Sequence, residues 1–120
     1  MNKLEFEHHV QNWKEFEDLS YALEGDAGKV KILSGNKEVQ ITAAYECEEF
    51  FIDFFHEGNA LYSDWYENMD EPVNEIMEYT KEIAIRYLNH PVQITTTGWW
   101  MFKRPVIEYL VNGEWHNVFE

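Results

Sequence analysis

The chain is 120 residues long and carries 23 acidic side chains against 9 basic, a formal net charge of −14 at pH 7. That balance excludes a generic nucleic-acid binder, because contacts to phosphate need Lys and Arg. Hydrophobic residues at 45% and aromatics at 17% exclude a disordered acidic tail, and the length fits one domain over residues 1–120.

The apolar residues Val10, Trp13, Phe16, Leu19 and Leu23 fall at steps of three and four, which predicts a first helix from Val10 to Leu23. Gly25 and Gly28, around Asp26, are expected to end it, and Lys3 to Glu7 to add a short strand before it. Lys29 to Leu33 and Glu38 to Tyr45 alternate apolar and polar residues and predict two strands, joined through Ser34-Gly35-Asn36-Lys37. In Glu49 to Phe55, Phe50, Ile52 and Phe54 share one face and Phe51, Asp53 and Phe55 the other. Apolar residues on both faces point to a strand with neighbours on either side. Glu57-Gly58-Asn59 turns into a further strand, Leu61 to Tyr66.

Glu71 to Leu88 is the clearest helix, with Val73, Ile76, Met77, Thr80, Ile83, Ala84, Tyr87 and Leu88 on one stripe. Asp70 suits its N-cap, Pro72 its first turn, and Asn89-His90-Pro91 stops it. Val92 to Thr97, Trp99 to Phe102, Val106 to Val111 and Trp115 to Phe119 read as strands. Asn112-Gly113 is a hairpin signal, Gly98 a candidate bulge, and Pro105 confines its strand to an edge or a start. Trp115 and Phe119 are expected to close the core. The sum is an α+β fold in which two helices pack on a mainly antiparallel sheet of about five to seven strands.

The charge is not spread evenly. Residues 46–82 hold twelve acids and one base, a net of −11, so about four-fifths of the excess lies in under a third of the chain. Glu71, Glu75, Glu78 and Glu82 are spaced to form a row on one helix face, with neighbours ~5 to 6 Å apart. Lys81 is expected to relieve them little. Asp64, Glu67 and Asp70 approach the row from the preceding segment and bring Trp65 and Tyr66. An acidic surface with aromatic anchors fits a basic protein partner, since charge steers encounter and buried aromatics supply affinity.

Signals for catalysis are weak by comparison. The histidines 8, 9, 56, 90 and 116 show no HxH, HxxH or HxxxH spacing, and Cys47 among Glu46, Glu48 and Glu49 makes a poor thiolate. No phosphate-cradling glycine pattern or nucleophile elbow is present, so no cofactor, metal or enzymatic activity is expected. Asp53, inside an apolar run, needs a partner or an exposed position. The lone Cys47 forms no internal disulfide, acids interrupt the N-terminal segment, and no apolar run approaches the ~20 residues of a membrane span. A cytoplasmic protein is the expectation.

In composition, and in the acidic segment from Glu46 to Glu82, the chain resembles the immunity proteins of bacterial polymorphic toxin systems, which are small, acidic and rich in aromatics. The resemblance is of type and carries no diagnostic motif. It implies neutralisation of a cognate toxin, commonly a nuclease with a basic cleft, and no direct contact with nucleic acid or membrane. Two alternatives stand beside it. One is a phage or plasmid DNA mimic that blocks a defence or repair protein. The other is a small-ligand or enzyme domain with a pocket of Trp65, Tyr66, Trp99, Trp100 and Asp53.

Overall fold

Alternation with period two carries most of the fold. A computed structural model describes residues 3–25, 27–44, 49–67, 73–98, 101 and 104–120. It contains two helices, α1 (Lys3–Gln11) and α2 (Val73–Leu88), and eight strands: β1 (Asp18–Glu24), β2 (Ala27–Ser34), β3 (Lys37–Ala44), β4 (Glu49–His56), β5 (Asn59–Glu67), β6 (Val92–Thr97), β7 (Arg104–Val111) and β8 (Glu114–Asn117). The fold is α+β and antiparallel throughout, but it is built on two sheets. Strands β1 to β5 form a meander in sequence order, and β6-β7-β8 form a second sheet of three.

The inner side of the meander follows directly from the alternation. Val30 and Ile32, Val39 and Ile41, and Phe50, Ile52 and Phe54 point inward and are buried. Each large side chain there contributes roughly 1.5 to 3 kcal/mol by leaving water. Strand β4 is an interior strand, paired with β3 and β5. The turns fall where the chemistry puts them: Gly35, Glu57 and Gly58, and Asn112 and Gly113 all take positive φ.

Helix α2 covers this inner side. Its stripe Ile76, Met77, Thr80, Ile83, Ala84, Tyr87 and Leu88 is buried; Asp70, Glu71, Pro72 and the Val73 side chain lie outside the described residues. Lys37, from β3, donates to the carbonyls of Tyr87 (2.8 Å) and His90 (2.9 Å), a cation on the negative end of the helix. The second sheet packs against α2 through buried Ile107. Arg86 donates to the Val118 carbonyl at 3.0 Å and lies over the Tyr109 ring. Phe119 then closes on Phe54 and Tyr62 edge-on.

Four expectations need correcting. The first helix is α1, Lys3–Gln11, not Val10 to Leu23, and Lys3 to Glu7 is helical rather than a strand. Phe6 and Val10 anchor α1, and Asn12 caps it through the His8 carbonyl. Residues Asp18 to Glu24 instead pair along all seven positions with β2. The three-and-four spacing was split among a helix end, the packed loop residues Trp13 and Phe16, and a strand. Second, Gly28 ends no helix: it lies within β2 opposite Leu23, and an added Cβ would stand 2.8 Å from the Tyr21 hydroxyl and 2.9 Å from Phe6. Glycine is there for close approach. Third, Trp115 is 40% exposed, because its register opposite Leu110 points it away from the side that holds Ile107 and Tyr109. Fourth, the strand expected from Trp99 to Phe102 is not formed at Met101, which is 70% exposed; Trp99, Trp100 and Phe102 lie outside the described residues.

Pro105 is the second residue of β7 and pairs only toward β6, so its missing N–H costs no ladder bond toward β8. Gly98 follows the end of β6 with φ +83°.

Candidate functional site

The side of α2 opposite the buried stripe carries Glu75, Glu78 and Glu82, all exposed. Their spacing of three and four follows the helical period, and the apolar stripe fixes which way they face. Glu75 sits in the first turn, where the helix dipole favours a carboxylate.

Lys81 does more than its spacing suggests. Its Nζ lies 3.2 Å from Glu78 and 3.5 Å from Glu15, which the α1–β1 loop brings up beside the helix. Partial burial alone would lower the Lys81 pKa, but Glu78 and Glu15 outweigh it and raise it. Glu15 is held below the usual carboxylate range, first by its own backbone N–H and then by Lys81. Sequence reasoning missed Glu15, because a partner 66 residues away leaves no local signal.

Beyond Glu15 the acidic surface turns into a cleft of about 720 Å³. Glu15, Glu17 and Asp18 supply its charge, and Phe16, Ile32, Leu33 and Leu88 its apolar lining; among the described residues no basic one lines it. The helix row and the cleft rim are thus joined through the Glu78–Lys81–Glu15 contact. Such a surface can hold cationic groups.

The other expected site residues fall elsewhere. Asp64 is half-buried in the edge strand β5, opposite Ile52 and so on the inner side of the sheet. Trp65 lies opposite Phe51 and Glu67 opposite Glu49 in the same strand; their side chains are outside the described residues, as are Asp70 and Glu71 entirely. Of the expected aromatic pocket, Trp99 and Trp100 lie outside the described residues, as do the side chains of Trp65 and Tyr66. Asp53 sits on the outer side of the sheet and accepts a hydrogen bond from the Ser63 hydroxyl. Cys47 is also outside the described residues.

Among the described residues no group of three or more His, Cys, Asp or Glu is arranged to hold a metal ion. No described helix is long and apolar enough to cross a membrane. Comparison with protein-family models, with characterised proteins and with solved structures gave no match.

Proposed function

We infer that this protein is an acidic inhibitor that binds and neutralises a basic protein partner, in the manner of an immunity protein facing a cognate bacterial toxin. The observation that carries the reading is the solvent side of α2, where Glu75, Glu78 and Glu82 stand exposed with one lysine beside them. The cleft rim of Glu15, Glu17 and Asp18 extends the same charge. A nuclease cleft that ordinarily receives phosphates accepts carboxylates on the same electrostatic terms.

The DNA-mimic reading is a narrower form of this proposal. Glu75 to Glu82 gives three carboxylates over about 10.5 Å of helix at 1.5 Å per residue, whereas one DNA strand presents a phosphate every ~3.4 Å. The helix row alone is too sparse, which favours recognition of a basic protein surface over strict imitation of a duplex.

The test is binding to the protein encoded by the adjoining reading frame, with Glu75, Glu78 and Glu82 all changed to Lys. Association should slow by at least about tenfold at low ionic strength and lose its salt dependence, with the melting temperature little changed. An association rate at low salt equal to that of the unaltered protein would refute the assignment of this surface.

A further inference from the structure

We propose that the outer side of the five-stranded sheet is covered by a second copy of this chain, giving a face-to-face dimer with its two-fold axis along β3. Both helices pack on the inner side, and the outer side carries three large apolar residues, Leu33, Phe51 and Phe55, among its polar ones. Phe51 and Phe55 are half-buried there, and Leu33 is 41% exposed. Ser20, Ala22, Lys31 and Ser63 around them are exposed.

The register orders these residues into rows across the sheet. One row runs Ala22, Lys29, Thr42, Phe51, Trp65; the next Ser20, Lys31, Gln40, Asp53, Ser63; the next Asp18, Leu33, Glu38, Phe55, Ala60. A fourth row runs Glu24, Ala27, Ala44, Glu49, Glu67. The bases Lys29 and Lys31 therefore lie on β2 and the acids Glu49 and Asp53 on β4, with Glu38, Gln40 and Thr42 between them on β3; Asp18 and Glu24 lie on β1 and Glu67 on β5, and Glu24 pairs with Lys29 at 3.2 Å. Strands β2 and β4 of this face are complementary to one another about one kind of axis. A two-fold parallel to β3 sets β2 of each copy over β4 of the other. It brings Lys31 to Asp53, Leu33 to Phe55 and Lys29 to the Phe51 ring, each contact occurring twice. A two-fold across the strands would set each strand on its own copy and lay Lys31 on Lys31.

The same axis brings Glu38, which accepts the Gln40 amide at 3.2 Å, to its own copy and sets β1 with Glu24 over β5 with Glu67, so the like charges fall on β3 and at the edges. Among the described residues Lys31 makes no ion pair and Asp53 has only the Ser63 hydroxyl as a side-chain partner. Two twisted sheets pack at about −30°, close enough to aligned to keep the rows matched near the axis. Five strands ~4.8 Å apart and seven residues long give roughly 550 Å² per copy. The pair buries about 1,100 Å², just above the ~1,000 Å² that a specific interface needs.

The experiment is sedimentation velocity on the full chain from 1 to about 500 µM at 0.15 M salt, where the net charges are screened beyond ~8 Å. A concentration-dependent dimer is expected. Lys31→Asp and Asp53→Lys alone should each weaken it by about tenfold or more, and the two together should restore it to within about threefold. Dilution of the unaltered protein should move the amide resonances of Leu33, Thr42, Phe51 and Phe55, a reading that needs no variant to fold. The proposal is overturned by a chain that stays monomeric throughout or by a double swap that fails to restore a folded variant's dimer. Resonance changes confined to the edge strands β1 and β5, or shielding of this face only by a different protein, would overturn it as well.

Discussion

Strand β4 shows two regions of the molecule at once. Phe50, Ile52 and Phe54 on its inner side are fully buried, Phe50 against Phe6 of α1 and Phe54 against Tyr87 of α2 and the C-terminal Phe119, while Phe51 and Phe55, of the same type and one residue away, are half-buried on the outer side. Composition does not separate the two sides; what lies over them does. Inner residues hold the fold together, and outer ones have surface left to give to an assembly.

The largest expected effect follows from that contrast. Phe54→Ala should cost about 3 to 5 kcal/mol, because it removes the ring against which Tyr87 and Phe119 pack edge-on. Phe51→Ala, measured in dilute solution, should cost about 1 kcal/mol, in line with half the buried area. Urea denaturation of both variants tests the comparison, and equal losses would erase it.

A second, smaller effect sharpens the account of the inner side. Gly28→Ala should destabilise by about 1 to 3 kcal/mol, since its Cβ would press on Tyr21 and Phe6 where α1 meets β1 and β2. The altered packing should appear as shifted Phe6 and Tyr21 ring resonances. An unchanged denaturation midpoint would show that α1 sits less tightly on the sheet than the geometry requires.

The smallest effect is on pH dependence. Burial pushes the Tyr87 phenol up to about 12, and its hydroxyl donates to the Phe55 carbonyl at 2.9 Å. A phenol whose folded pKa lies above its unfolded value of about 10 contributes stability in full below pH 10 and loses it as the pH rises to 12. Tyr87→Phe removes this titration and should flatten the decline of stability between pH 10 and 12.

What was legible in the sequence was whatever repeats locally. The α2 stripe, the β2–β3 and β7–β8 turns and both sides of β4 follow from spacing alone. The segment from Val10 to Leu23 misled because its spacing is helical only on paper; seven backbone pairs with β2 outweigh the propensity of a short run. The acidic side of α2 was visible for the same reason the stripe was. Its link to Glu15 and the acidic cleft was not, because the α1–β1 loop reaches Lys81 only once the sheet and helix have docked.

Lys37 has a mechanical consequence. By holding the Tyr87 and His90 carbonyls, a residue at the start of β3 ties the tip of the second hairpin to the last turn of a helix some fifty positions later. The helix end cannot fray while that hairpin stays closed. Loosening of either should propagate to the other, so the row of glutamates is presented from a stiff mast rather than a swinging arm.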